Sequence, residues 1–334
     1  MIKKNKVYII AEIGTNHNGS LSLAIKSIKA AAKTGVDAVK FQSFKTDEFM
    51  ADKKLKYKYK MHHGEKTEYM YSMFKRLEFK DEWYSKLSKL CKSLKIDFLS
   101  SAADINSAIK LKKIKSKAIK IASEDIINYP LLKKISKINK RVILSTGMAD
   151  EDEIKKAISL LKNIKKKLIL LHCVSLYPTP KDKINLNRIL ALKDKFNLPV
   201  GFSDHTTGID ASIAAVTMGA CLVEKHFTLS KKLSGPDHML SSDPQEFREL
   251  VSKVRIISKM LGNKKIHPGL EETKIRKKFR RSIVSNQIIK KGTKIKENML
   301  ALKRPGTGLH PKYLNKIIGK VSKKNFLKNE KIRL

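Results

Sequence analysis

Two short stretches put imidazoles where chemistry could use them. "SDHTTG" (203–208) closes one apolar run and "EKHFT" (224–228) closes another, so His205 and His226 each stand at the end of a strand-like segment. Imidazoles from neighbouring strand ends can share one divalent ion, and a pair of them leaves coordination positions open for water and substrate, as Lewis-acid catalysis requires. Two such histidines could equally be hydrogen-bonded and no more. Other apolar runs also finish on polar groups: Glu12, Lys40 with Gln42, Ser100 with Ser101, Lys120 with Ser123, Ser145, His172 with Tyr177, and Ser203. Lys40 and Lys120 lie inside apolar runs, where a desolvated ammonium needs an anionic partner. With the hydroxyls of Ser100, Ser101, Ser123, Ser145 and Ser203 they describe a pocket for phosphate and carboxylate. Glu12, and Asp237 in "SGPDH", are placed to meet metal-bound waters or substrate hydroxyls. Glu124 and Asp125 follow the fourth run; one of these carboxylates could activate water, and Glu124 reads as a solvated loop residue.

Eight short runs must position these groups: Val7–Glu12, Ala38–Gln42, Phe98–Ser101, Ala118–Ala122, Val142–Ser145, Leu168–Cys173, Val200–Ser203 and Leu222–His226. Amphipathic segments of helical period separate most of them. The first, Ser20 to Lys33, has a serine N-cap and stops at Gly35, and Ile209 to Met218 stops at Gly219. This alternation with fully apolar strands implies a parallel sheet covered by helices. Eight units within about 230 residues favour a closed (β/α)8 barrel of the TIM type, whose working residues sit at the C-terminal strand ends. No GxGxxG or GxxxxGK phosphate fingerprint is present, which weighs against an open-sheet nucleotide binder. The 55-residue connection after Gln42, containing His62 and His63, is too long for a simple loop and is expected to fold over the barrel mouth. The two histidines read as solvated.

A helix over Pro244 to Met260 is followed by a basic stretch, and from Arg281 the pattern changes to short strands and turns. The expected division is a barrel domain over 1–265, a linker over 266–280 and a small β-rich domain over 281–334.

The 334 residues carry a formal net charge of +41, almost all of it lysine with only ten arginines, spread along the whole chain. Nucleic-acid readers cluster their basic residues and favour arginine, so neither nucleic acid nor membrane is expected as a partner. The charge reads as solvated surface that steers anionic substrates. No apolar run approaches the ~20 residues of a membrane-spanning helix, and no signal peptide is legible, so a cytoplasmic enzyme is expected. Cys91, Cys173 and Cys221 have no CxxC spacing and read as reduced buried thiols.

"AEIGTNHNGS", "KFQSFK", "KIASEDIINYPLL", "ILSTGM", "LHCVSLYPTP", "SDHTTG", "EKHFT", "SGPDH" and "LKRPGTGL" occur in this order over essentially the whole chain. Together they resemble the sialic acid synthase family, which includes N-acetylneuraminate, legionaminate and pseudaminate synthases. The resemblance implies a TIM barrel followed by an antifreeze-like SAF domain of β-clip type. It implies a transferase that condenses phosphoenolpyruvate with an N-acylmannosamine-type sugar and water, giving a nine-carbon 2-keto acid and phosphate for a surface polysaccharide. It further implies a divalent cation, Mn2+ or Mg2+, on His205 and His226. Phosphoenolpyruvate would be bound by Lys40, Ser101, Lys120, Ser123, Ser145, Tyr177 and Ser203. Glu12, Tyr177, Asp237 and Arg304 would meet the sugar, and Glu12, Asp125 and Asp237 would be the catalytic carboxylates. Arg304 matches an arginine that reaches from one subunit's SAF domain into the other's site, so a domain-swapped homodimer is implied.

Three departures fall near the sugar: Asp125 where many relatives carry glutamate, Ser175 where some carry asparagine, and Ala102–Ala103 in place of a Pro-Phe pair. They leave the reaction class intact and weaken any claim about which sugar is used; the first expectation is N-acetylneuraminate synthase. The alternative is an N,N'-diacetyllegionaminate or pseudaminate synthase acting on a 2,4-diacetamido-6-deoxy hexose. A Schiff-base aldolase using Lys40 or Lys120 is a different chemistry on the same barrel, and a nucleic-acid binder is a third class.

Overall fold

The computed structural model describes residues 6–333, which fall into two compact units meeting between Gly262 and Asn263. In the first unit the strands are β1 (Tyr8–Gly14), β2 (Ala38–Ser43), β3 (Lys56–Met61), β4 (Gly64–Tyr69), β5 (Asp97–Ala102), β6 (Ile119–Ile121), β7 (Val142–Ser145), β8 (Leu168–Cys173), β9 (Val200–Asp204) and β10 (Leu222–His226). All but β3 and β4 close into a parallel barrel in the order β1-β10-β9-β8-β7-β6-β5-β2. The eight runs read from the sequence are these eight strands, and the fold is a (β/α)8 barrel.

Helices cover the outside, and their ends follow from local chemistry. Ser20 caps Leu21–Ala32, Asp104 caps Ile105–Lys113, and Asp150 forms a reciprocal capping box with Glu153 at the start of Glu151–Leu160. The last helix of the unit, Pro244–Met260, starts on a second capping box, Asp243 with Glu246.

Strand side chains alternate, and the alternation sorts the barrel interior into two layers. The lower layer is apolar: Tyr8, Ile10, Ala38, Leu99, Ala118, Ile143, Ile169, Leu171 and Leu222 pack as one cluster. Two residues further along each strand the inward position turns polar, at Glu12, Lys40, Ser101, Lys120, Ser145 and Glu224. The outward positions build a separate core against the helices.

Between β2 and β5 the long connection is ordered. β3 and β4 pair antiparallel from Lys56↔Tyr69 to Met61↔Gly64. The hairpin rests on its own small core of Phe44, Tyr59, Met73 and Leu77. Glu68 anchors it: its carboxylate accepts the Tyr59 phenol at 2.6 Å and both arms of the Arg76 guanidinium at 3.0 Å. That two-armed fork holds the Glu68 carboxyl down at about 2.

In the second unit, the helix Leu270–Phe279 buries no side chain of its own, and its charges follow the helix dipole, with Glu271 and Glu272 in the first turn and Arg276, Lys277 and Lys278 in the last. It occupies most of the stretch read from the sequence as a linker. Beyond it β11 (Ser282–Ser285) pairs antiparallel with β12 (Leu300–Lys303) over a core that includes Ile283, Ile289, Ile295, Ile317 and Phe326.

Candidate active site

The polar upper layer of the barrel encloses a narrow cavity of about 50 Å3 at the C-terminal strand ends. Its floor is an ionic cluster. Lys40 Nζ lies 2.7 Å from Glu12 Oε2 and 3.8 Å from Glu224 Oε1, and Lys120 Nζ lies 3.7 Å from the same Glu224 oxygen. Ser203 Oγ donates to Glu224 Oε1 at 3.0 Å. All four charged residues are buried. Desolvation would lower the Lys40 pKa, but Glu12 and Glu224 outweigh it and raise it above the usual lysine range. Both carboxylates feel the same desolvation, yet they are split by their partners. Glu224 stands between two ammoniums with a hydroxyl donor and stays below the usual range, whereas Glu12 is pushed up toward neutrality. Glu12 Oε1 and Glu224 Oε2 are buried with no hydrogen-bond partner. Such orphans inside a charged cavity mark groups waiting for a ligand rather than a finished core.

One wall is a cradle. Ser123 Oγ is 3.1 Å from Cys173 Sγ, and a Cβ added at Gly147 would come within 2.5–2.7 Å of Ser175 Oγ, Cys173 Sγ and Ser123 Oγ. Glycine at 147 therefore leaves room between short polar side chains, of the kind an anionic oxygen fills. Ser101, Ser145 and Gln42 line the same cavity.

The opposite wall carries the histidines. The rings of His205 and His226 are 5.6 Å apart, centre to centre, at 60°. His205 Nδ1 lies 2.8 Å from the Val174 carbonyl. A carbonyl only accepts, so Nδ1 holds the proton and Nε2 presents a lone pair. His226 Nδ1 is buried without a hydrogen-bond partner, 3.9 Å from Asp237 Oδ2. Burial is the main cause that lowers both pKa values, to about 4 for His205 and about 3 for His226, so both rings are neutral at neutral pH. Two neutral imidazoles, one with an orphaned nitrogen, fit a divalent cation that keeps open positions. Among the described residues no group of three or more His, Cys, Asp or Glu forms a complete protein ligand set.

Tyr177 lies over His205 with ring centres 4.3 Å apart, and meets His226 edge-on at 6.0 Å. Its phenol is pushed well above its usual pKa by burial and then by Cys173 and Asp237, while the residue as a whole is 47 % exposed at the mouth. Asp237 Oδ2 accepts from Thr15 Oγ1 at 3.1 Å, and burial raises its pKa. The loop carrying Asp237 is latched to the loop after β1. Asn16 Nδ2 donates to Phe227 O and Ser241 Oγ, both at 2.9 Å, and His238 bridges Thr228 Oγ1 at 2.7 Å and Asn18 Nδ2 at 3.2 Å.

Of the residues singled out by sequence, Glu12, Lys40, Ser101, Lys120, Ser123, Ser145, Tyr177, Ser203, His205 and His226 line this one cavity. Asp237 stands beside His226. Asp125 does not line the cavity; its neighbour Glu124 does, while remaining exposed as the solvated-loop reading expected. The turn after β6, closed by Asp125 N to Ala122 O, sets that choice, and burial followed by Glu124 raises the Asp125 carboxyl to about 7. Two strand-end residues point outward by the same alternation. Ser100 bonds Ser43 Oγ and Phe41 O, and His172 stacks on Phe202 and reaches Ile184 O at 2.7 Å. His62 and His63 are exposed. Arg304 belongs to the second unit, where its guanidinium lies 5.1 Å over the Phe279 ring. Sequence reasoning missed Glu224, Cys173 and Gly147. Counting back by two from His226 puts Glu224 on the same face, a signal the "EKH" triplet already carried.

A model of the NeuB family matches residues 27–266, and one of the SAF domain matches residues 280–334. The chain is 43 % identical over 331 residues to an N,N'-diacetyllegionaminic acid synthase of Campylobacter jejuni, covering 98 % of this chain and 99 % of that one. It is 41 % identical to the enzyme of that name from Legionella pneumophila, covering 93 % and 89 %. Among solved structures, the N-acetylneuraminic acid (sialic acid) synthetase of Leptospira borgpetersenii in complex with citrate aligns with a TM-score of 0.74 at 36 % identity, over 82 % of this chain and 91 % of that one. The chain belongs to the NeuB family and carries a SAF domain; it is an enzyme of the nonulosonic acid synthase group.

Proposed function

We propose that this enzyme condenses phosphoenolpyruvate with a 2,4-diacetamido-2,4,6-trideoxyhexose and water, giving an N,N'-diacetyllegionaminic-type acid and phosphate. One observation carries the reading: two buried ammoniums, Lys40 and Lys120, share a cavity with two neutral imidazoles at neighbouring strand ends. The choice of sugar over N-acetylmannosamine, which the sequence put first, is supported by the two relatives named for legionaminic acid.

His205 and His226 would hold Mn2+ or Mg2+, which when bound supplies Lewis-acid polarisation of the acceptor's aldehyde oxygen. Lys40 and Lys120 neutralise the phosphate and carboxylate of phosphoenolpyruvate, and the hydroxyls of Ser101, Ser123, Ser145 and Ser203 orient them. Asp237 and Tyr177 orient the sugar. C3 of phosphoenolpyruvate forms the new carbon–carbon bond, water adds at C2, and the C2–O bond breaks to release phosphate. Glu12, whose Oε1 is free, holds or accepts the proton of that water. Asp125 stands where relatives carry a glutamate and would act on the sugar side through the turn it shares with Glu124. Lys40 is protonated and ion-paired, which disfavours the Schiff-base alternative.

A domain-swapped homodimer, with Arg304 crossing to the partner's acceptor, belongs to the same proposal, as do the boundaries at 265 and 281 and a cytoplasmic location. The support for these is the resemblance; among the described residues no helix is long and apolar enough to cross a membrane. Phosphate release from phosphoenolpyruvate is the test, across N-acetylmannosamine and the diacetamido sugar, with and without chelator. Release that needs the diacetamido sugar and stops with chelator is expected; release without any sugar, or pyruvate trapped on lysine by borohydride, would overturn the reading.

A further inference from the structure

Beyond the narrow cavity lies a wider one of about 450 Å3, and Tyr177 lines both. That volume is in the range of small-molecule sites. One side is the β3–β4 hairpin, through Tyr57 and Tyr59, whose rings stack at 5.8 Å and 26°. Facing it are Pro236, Met239 and Leu240, from the loop that also carries Asp237. The wall is fixed rather than loose. Tyr59 is locked by Glu68 and Arg76, and Tyr57 sits close enough to Asp237 that, after burial, this carboxylate is what raises its phenol. Met239 is 37 % exposed and Tyr177 47 %, so apolar surface faces open space inside a cleft rather than a packed core.

We propose that the β3–β4 hairpin and Met239–Leu240 form the selectivity wall for the far end of the acceptor, and that it selects a deoxygenated, N-acylated terminus over a hydroxylated one. The inference rests on the function proposed above. The acceptor's aldehyde must lie by His205 and His226. Its chain then passes Tyr177, and its distal carbons enter the cavity between tyrosines and methionine. A C6 methyl and an acetamido methyl bury apolar surface there. A C6 hydroxymethyl on that side places a hydroxyl against Pro236, Met239 and Leu240, whose side chains do not bond it, which a pocket of this kind penalises by up to about a hundredfold. The cavity's charged and hydroxyl groups are Lys58 and Glu65, paired at 2.5 Å, with Lys60 and Thr207 and the tyrosine phenols. Selection therefore lies in a segment outside the barrel strands, and the reacting end is left to the barrel.

The test compares wild type with Tyr57→Ser, Tyr57→Phe and Met239→Ser. Each is titrated with 2,4-diacetamido-2,4,6-trideoxymannose and with N-acetylmannosamine in the presence of phosphoenolpyruvate, by calorimetric binding and by kcat/KM. Wild type is expected to prefer the first sugar by about 10- to 100-fold. Tyr57→Ser and Met239→Ser should each cut that preference about tenfold with the KM for phosphoenolpyruvate unchanged, and Tyr57→Phe should retain it. A preference ratio that stays within twofold of wild type in both serine variants overturns the proposal, and so does binding of neither sugar. If a variant-sensitive preference appears in binding while no phosphate is released, the wall stands and the proposed reaction falls.

Discussion

The inward and outward faces of β9 and β10 are both polar and both buried, yet they differ in kind. Outward, Asp204 and Lys225 sit opposite each other in register and pair at 3.0 Å. Thr206 and Ser212 satisfy the remaining Asp204 valences, and Lys225 reaches the Thr206 carbonyl at 2.7 Å. Neither residue has an orphaned atom. Inward, one position to either side of Lys225 on β10, Glu224 and His226 each leave a buried atom without a partner. The same two strands thus carry a completed polar network on one face and an incomplete one on the other. Burial and charge alone do not distinguish structure from function; unmet valences gathered in one charged cavity do, whereas isolated ones such as His17 Nε2 and Ser136 Oγ do not.

The contrast can be broken from either side. On the inward face, His205→Ala or His226→Ala should lower turnover by a thousandfold or more, with the melting temperature held near wild type, as read by phosphate release and calorimetry. On the outward face, Lys225→Met leaves Asp204 charged and unpaired, and should cost about 3–5 kcal/mol in denaturant unfolding. Replacing both partners by apolar residues should recover most of that loss.

A third prediction separates a buried histidine of structural type from the catalytic pair. His17 is fully buried, with Nδ1 accepting from Gly19 N and its ring edge-on to Trp83 at 5.3 Å; its Nε2 is also without a partner, but it lies among Phe41, Phe79 and Trp83 rather than among charges. Burial lowers its pKa from 6.5 to about 4. The unfolded chain then binds the proton first, so stability is complete above pH 6.5 and is lost as pH falls toward 4, by up to about 3 kcal/mol. Urea unfolding of wild type and His17→Gln across that window checks it; the variant should show a shallower acid slope. The smallest effect is expected at Gly147→Ala. Its methyl crowds Ser123, Cys173 and Ser175, and should raise the KM for phosphoenolpyruvate about tenfold with the fold unchanged.

The barrel was legible because its strands are short apolar runs whose bounds coincide with Gly and capping residues. Val142–Ser145, Leu168–Cys173 and Leu222–His226 were read residue for residue. The strand-end rule then found most of the cavity. It failed where one residue of register decides direction: Ser100 and His172 stand beside inward neighbours and point the other way. The turn after β6 hid the exchange of Asp125 for Glu124, since a turn has no period to read. Glu124 is exposed as read, but an isolated loop carboxylate carries no sign of the cavity it borders. The hairpin over the mouth was foreseen as a loop that must go somewhere, but its strands were not, because "KYKYKM" and "GEKTEY" are lysine- and glutamate-rich with only tyrosines to bury.

The unmet valence on the inward face is tested most directly by titrating Mn2+ into chelator-stripped enzyme and following it by electron paramagnetic resonance. One ion bound per chain, lost in both His205→Ala and His226→Ala and matched by the return of phosphate release in wild type, is the predicted result. Undiminished binding in both variants, or full phosphate release from the stripped enzyme, would contradict it.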